Sequence, residues 1–149
     1  MQPIRKILVP FDDSPQATEV GAYAANLARA CDASLLFLHV DHPLTYALPP
    51  GFAALNPAQA AAFQEEFQRA VAHAKATALA AGAPRVETLV ERGDPATEIL
   101  RVARDGAFNL IVMGTHGRKG LARAFIGSVA EQIVRRAPCP VLTVRAAYE

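Results

Sequence analysis

The chain has 149 residues, of which 52% are hydrophobic and 19% charged, and its formal net charge is +1. Such a length and composition suit one packed domain spanning residues 1–149 and exclude a disordered chain. No basic tail or lysine-rich run is present, which argues against a dedicated nucleic-acid binder, whose affinity rests on many phosphate contacts.

The opening MQPIRKILVPFDDS holds only a short apolar stretch and no small-residue cleavage site, so a signal peptide is not expected. No run approaches the roughly 20 apolar residues of a membrane span, and the expected location is the cytoplasm. Cys31 and Cys139 lack CxxC spacing, and reduced structural thiols are expected there.

In chain order, Ile4–Pro10 predicts a buried strand, because Ile7, Leu8 and Val9 are contiguous and apolar. Ser14-Pro15 reads as a cap followed by proline at the first helical position. Ala17, Val20, Gly21, Ala24, Leu27 and Ala28 then share one face of a helix reaching about Ala30. Ser34–Val40 is a second buried strand. Residues 41–56 carry Pro43, Pro49, Pro50 and Gly51 and predict a loop, long enough to be a candidate lid. Asn56-Pro57 opens a long helix with Phe63, Phe67, Ala70, Val71, Ala74 and Ala78 inside, ended by Gly82.

Val86–Glu91 predicts a third strand. Asp94-Pro95 repeats the cap-then-proline signal for a helix that buries Ile99, Leu100 and Ala103 and stops near Gly106. Leu110–Met113 is a fourth strand running into Gly114. Ser128-x-x-Glu131 reads as a capping box opening a last helix that uses Val129, Ile133 and Val134. Ala137-Pro138 ends it, and Val141–Val144 is a fifth strand. The order βαβαβαβαβ specifies an α/β fold, a doubly wound parallel sheet with right-handed crossovers.

In such sheets ligands sit outside the carboxyl ends of the strands, at the point where strand order reverses. Two strand exits are unusual. The first strand ends in Pro10-Phe11-Asp12-Asp13-Ser14. The fourth ends in Gly114-Thr115-His116-Gly117-Arg118-Lys119-Gly120, whose glycines let backbone amides approach an anion. Gly127-Ser128 then opens the last helix, where the amides of Ser128, Val129 and Ala130 and the helix dipole favour phosphate. Between Gly114 and Arg136 lie Arg118, Lys119, Arg123, Arg135 and Arg136 against the single acid Glu131, an excess that suits a polyphosphate.

Gly114, Gly117, Gly127 and Ser128 form the spacing Gly-x2-Gly-x9-Gly-Ser, and with ILVPFDDS and Leu38–Val40 this resembles the ATP-binding members of the universal stress protein family. The resemblance covers nearly the whole chain except about residues 42–60. It implies a five-stranded Rossmann-like sheet in the order 3-2-1-4-5, with helices on both faces. It implies that Asp12, after Pro10, bonds the ribose hydroxyls and that the Val40 backbone reads the adenine edge. Gly114, Gly117, Gly127, Ser128 and Val129 would hold the phosphates of ATP, accompanied by Mg2+, and Thr115, His116 and Arg118 are further candidate nucleotide-binding residues. It also implies a homodimer formed through Val141–Val144, with a further protein partner downstream. Asp13 departs from the family, where glycine is frequent, and adds negative charge near the expected ribose.

His39 reads as a hydrogen-bonded core histidine, His73 as solvated, and His39 with His42 lacks the further ligands of a metal site. His116 is either a shaper of the loop or a phosphate contact. Phe63 and Phe67 read as core. The expected function is a nucleotide-dependent binding switch in stress response, with a slow ATPase or other ATP-using enzyme of the same fold, such as a nucleotidyl transferase, and an ATP-independent dimeric module as the competing readings. Lys119 is followed by Gly120, so there is no Walker A run.

Overall fold

In the computed structural model, residues 2–12, 14, 16–42, 57–115 and 126–145 are described, with no account of the Phe63 side chain. They form β1 (Lys6–Pro10), α1 (Ala17–Cys31), β2 (Ser34–Asp41), α2 (Pro57–Ala80), β3 (Arg85–Arg92), α3 (Pro95–Asp105), β4 (Leu110–Gly114), α4 (Ser128–Arg136) and β5 (Val141–Val144). The strands make one parallel sheet in the order β3-β2-β1-β4-β5.

Alternation along the strands sends side chains to two cores. Ile7, Val9, Leu35, Phe37 and Val112 pack beneath α1 and α2, against Val20, Ala24, Ala28 and Ala78. Leu8, Leu38, Ile111 and Met113 face the other way, against Ile99, Leu100 and Ala103 of α3 and Ala130 and Ile133 of α4. The near-continuous apolar runs of β1 and β4 follow from this, since both of their faces are covered.

β1 starts at Lys6 rather than at Ile4. The amides of Arg5 and Lys6 both donate to Asn109 Oδ1 at 2.7 Å, so an asparagine side chain stands where a ladder partner would be. Ser14 is not the cap of α1. Its amide donates to Asp12 Oδ1 at 2.9 Å and its carbonyl accepts the Ala17 amide at 3.0 Å, so the polar cluster makes an Asx turn ahead of the helix. Gln16 occupies the cap position without a side-chain cap bond, and Pro15 lies outside the described residues.

The cap of α3 is as expected: Asp94 accepts the Thr97 amide at 3.0 Å and the Thr97 hydroxyl at 2.7 Å. Gly82 sits at φ +93° just beyond α2, a left-handed conformation that suits glycine. β2 runs on through Asp41, paired with Arg92, so the segment read as a loop from 41 begins later; residues 43–56, the candidate lid, lie outside the described residues.

Candidate functional site

β1 and β2 pair over five residues, whereas β1 and β4 pair only at Ile7↔Leu110 and Leu8↔Ile111. Beyond Leu8 the two central strands lose their ladder, and that is also where strand order reverses. A crevice at the carboxyl ends of β1 and β4 is the expected consequence.

On the β4 side, Gly114 ends the strand paired with Val144, and Thr115 follows as a buried polar residue, 4% exposed. The Thr115 carbonyl accepts the Gly127 amide at 2.8 Å. This bond brings the strand exit against the mouth of α4 although eleven residues separate the two in sequence. Gly127 is the N-cap, extended at φ −60° and ψ 154°, and Ser128, Val129 and Ala130 form the first turn of α4. Their amides have no preceding helical carbonyl to bond and find no acceptor among the described residues.

Two expectations for α4 are corrected. Ser128 is the first helical residue and not the cap, and it makes no capping box with Glu131, which instead pairs with Arg135 at 3.0 Å. With glycine at the cap there is no side chain to satisfy the first-turn amides, which leaves them open to an external acceptor. Val134 is exposed rather than core, because α4 buries Ala130 and Ile133 on the opposing stripe. Arg135 and Arg136 lie in the last turn, about 12 Å along the axis from Ser128 at 1.5 Å per residue. They do not add to a cationic phosphate site at the N-terminus. His116, Gly117, Arg118, Lys119, Gly120 and Arg123 lie outside the described residues.

On the β1 side, Pro10 is the last strand residue and Asp12 is half-buried in the turn above it. One Asp12 oxygen is engaged by the Ser14 amide. An ionised carboxylate only accepts hydrogen bonds, so its second oxygen suits a hydroxyl donor. Val40 packs its side chain beside the α3–α4 core. Its main chain carries the interest: the Leu38 carbonyl accepts the Phe11 amide at 2.7 Å, so by strand alternation Val40 also turns its N–H and C=O toward β1. The pairing of β1 with β2 ends at Pro10↔Leu38, two residues short of Val40.

Sequence reasoning did not foresee what supports the Asp12 turn. Phe11 meets Phe37 and Phe67 edge-to-face at 6.0 and 6.3 Å, and Phe67 stacks on His39. His39 Nδ1 donates to the Phe11 carbonyl at 3.2 Å, so the expected hydrogen bond is present, although His39 is half-buried rather than core. Phe67 is buried and His73 exposed, also as expected. The signal for this cluster was present in the phenylalanine inside Pro10-Phe11-Asp12, whose partners only the fold brings near. Cys31 and Cys139 are free thiols, and burial pushes the Cys139 thiol up, which disfavours the reactive thiolate. Among the described residues no group of three His, Cys, Asp or Glu could hold a metal, and no helix is long and apolar enough to cross a membrane.

A family model described as the universal stress protein family matches residues 3–145. A universal stress protein of Thermus aquaticus is 36% identical over 145 residues, covering 95% of this chain and 98% of that protein. One from Methanocaldococcus jannaschii, MJ0531, is 34% identical over 141 residues, with 95% and 82% covered. Among solved structures, the hypothetical protein MJ0577 shares the fold with a TM-score of 0.84 at 24% identity, covering 99% of this chain and 100% of that one. A universal stress protein in complex with cAMP has a TM-score of 0.74 at 23% identity, with 98% and 100% covered. One from Archaeoglobus fulgidus in complex with dAMP has a TM-score of 0.67 at 21% identity, with 95% and 98% covered.

Proposed function

Because this chain belongs to the universal stress protein family, we propose that it binds ATP, with Mg2+ on the phosphates, in the crevice between β1 and β4 and acts as a nucleotide-dependent binding switch. The observation that carries this reading is the Gly127-to-Thr115 hydrogen bond, which opens the free first-turn amides of α4 at the exit of β4. Unpaired amides on the positive end of a helix form a ready anion site. In this reading Gly114, Thr115, Gly127, Ser128 and Val129 hold the phosphates, together with His116, Gly117 and Arg118 from outside the described residues. Asp12 takes the ribose hydroxyls beside Pro10, and the Val40 backbone reads the adenine edge. The adenine nucleotides bound by the two neighbours agree with that base. Mg2+ would be carried by the phosphates and water, as is usual for this ion.

The same reading assigns a binding role in the cytoplasm in preference to catalysis. Amides that grip phosphate equally before and during reaction do not speed the chemical step. It also takes β5, an edge strand with outward-facing backbone groups, as the seam of a two-fold homodimer. Mass spectrometry of small molecules released by denaturing the purified protein tests the assignment. Adenine nucleotide, with ATP predominant, is expected at close to one per chain. Protein that carries none and shows no heat of ATP binding in calorimetry would refute it.

A further inference from the structure

We infer that the cavity between α1 and α2 is a second small-molecule site, which takes an organic ammonium ion with an apolar body. Its volume is about 370 Å3, within the roughly 300–1,000 Å3 of small-ligand pockets. The space arises from sequence: where the two helices face each other they present Ala17 and Gly21 on one side and Ala70, Ala74 and Ala78 on the other. Side chains this short leave a channel between backbones that larger residues would close. Phe11 and Phe67 add aromatic rings to its wall, and Gly21 lies against the Phe37 ring, where an added Cβ would make an ordinary contact at 3.4 Å.

The polar part of the lining has one sign. Asp12 and Glu66 contribute carboxylates, Thr18 and Thr77 contribute hydroxyls, His73 is the only other titratable group, and neither lysine nor arginine lines the cavity among the described residues. Glu65 pairs with Arg69 at 3.4 Å, whereas Glu66 has no ion-pair partner among the described residues. Two carboxylates in the lining attract a cation and repel an anion, and Phe11 and Phe67 suit the apolar body of the ligand. A nucleotide is therefore the wrong ligand for this cavity. It meets the crevice only at the turn holding Asp12 and Ser14, and Val40, Thr115 and Gly127 take no part in it.

The test uses nucleotide-free full-length protein, so its outcome does not depend on the ATP reading. 2-Phenylethylamine and its neutral isostere 2-phenylethanol are titrated at pH 7.5 and followed by protein-observed NMR. The amine is expected to bind with Kd on the order of 1 mM, typical for so small a ligand. It should bind about fivefold more tightly than the alcohol, the upper end for a partly exposed ion pair. Glu66→Gln should weaken the amine severalfold and leave the alcohol unchanged. Ala74→Trp should fill the cavity and abolish both; Thr18→Trp, at an exposed position, does the same from α1 if Ala74→Trp fails to fold. Equal affinity for amine and alcohol, binding that survives the filling variants, or no shifts at about ten times the expected Kd would each overturn the assignment.

Discussion

Replacing Gly127 by valine separates space from conformation at the mouth of α4. Gly127 lies at φ −60° and ψ 154°, a region open to any residue, so the backbone accommodates valine without strain. Valine is a poorer N-cap than glycine, by about 1 kcal/mol. The stiffer unfolded chain offsets about 0.4–1 kcal/mol of that loss. The net change, within about 1 kcal/mol, lowers Tm by no more than about 2–4 °C for a chain of this size. Binding should behave differently. Each hydrogen bond to a charged phosphate contributes about 1.5–3 kcal/mol, and a branched side chain in front of the Ser128 and Val129 amides removes at least two. Affinity for ATP should therefore fall by at least about 100-fold. Isothermal calorimetry reads the affinity, and circular dichroism with a thermal melt reads the fold. Unchanged affinity in a folded Gly127→Val protein would remove the α4 terminus from the site.

Asp94→Ala should cost about 1 kcal/mol in a urea unfolding curve at pH 7 through loss of the α3 cap. The Thr97 hydroxyl and amide hold the Asp94 carboxyl below its ordinary value, so this stabilisation is complete above the unfolded pKa and disappears as pH falls through the lower folded one; the gap between wild type and variant should close across that acid range. Thr143→Pro should dissociate the proposed dimer in light scattering with little loss of secondary structure. The Ile111 amide donates to the Pro140 carbonyl, which by alternation turns the Thr143 N–H away from β4; a dimer that persists would exclude β5 as the seam. Leu142→Lys is the poorer probe, since Leu142 packs against the α1–α2 core. Single-turnover assays with labelled ATP and Mg2+ should show hydrolysis far below about 1 s⁻¹, the low end for enzymes. Enzyme-like release, abolished by His116→Ala with binding retained, would establish an ATPase.

Most of the fold was legible because its signals are local and agree with one another. The apolar runs of β1, β2 and β4, the Asp94-Pro95 cap and Gly82 each predict an element that exists, with boundaries within a residue or two. Three of the misreadings share one cause: a side chain found a partner other than the one adjacent in sequence. Ser14 was drawn into the Asp12 turn, Asn109 stood in for the β1 ladder, and Glu131 turned to Arg135. Ser, Asp and Asn offer the backbone several competing bonds, so a cap signature gives the neighbourhood of a helix start and not its residue.

The candidate site could be read from the sequence to the extent that its proposed chemistry lies in motifs, and that holds for the glycines and Ser128 more than for Asp12. A lone acid after a strand reads equally as a solvated turn. What makes it a fixed group is the chain around it. The Phe11 amide is held by the Leu38 carbonyl, the Phe11 carbonyl by His39, and the Phe11 ring by Phe37 and Phe67. Both backbone groups and the side chain of the preceding residue are thus committed, and the Asx bond to Ser14 fixes one carboxylate oxygen of Asp12 itself. A ribose would then meet an acceptor whose orienting cost is already met by folding, which is the condition under which one hydrogen bond discriminates between ligands. The role proposed for Val40 had no side-chain signal, because it rests on strand parity and on where β1 stops, and these appear only once the sheet is assembled.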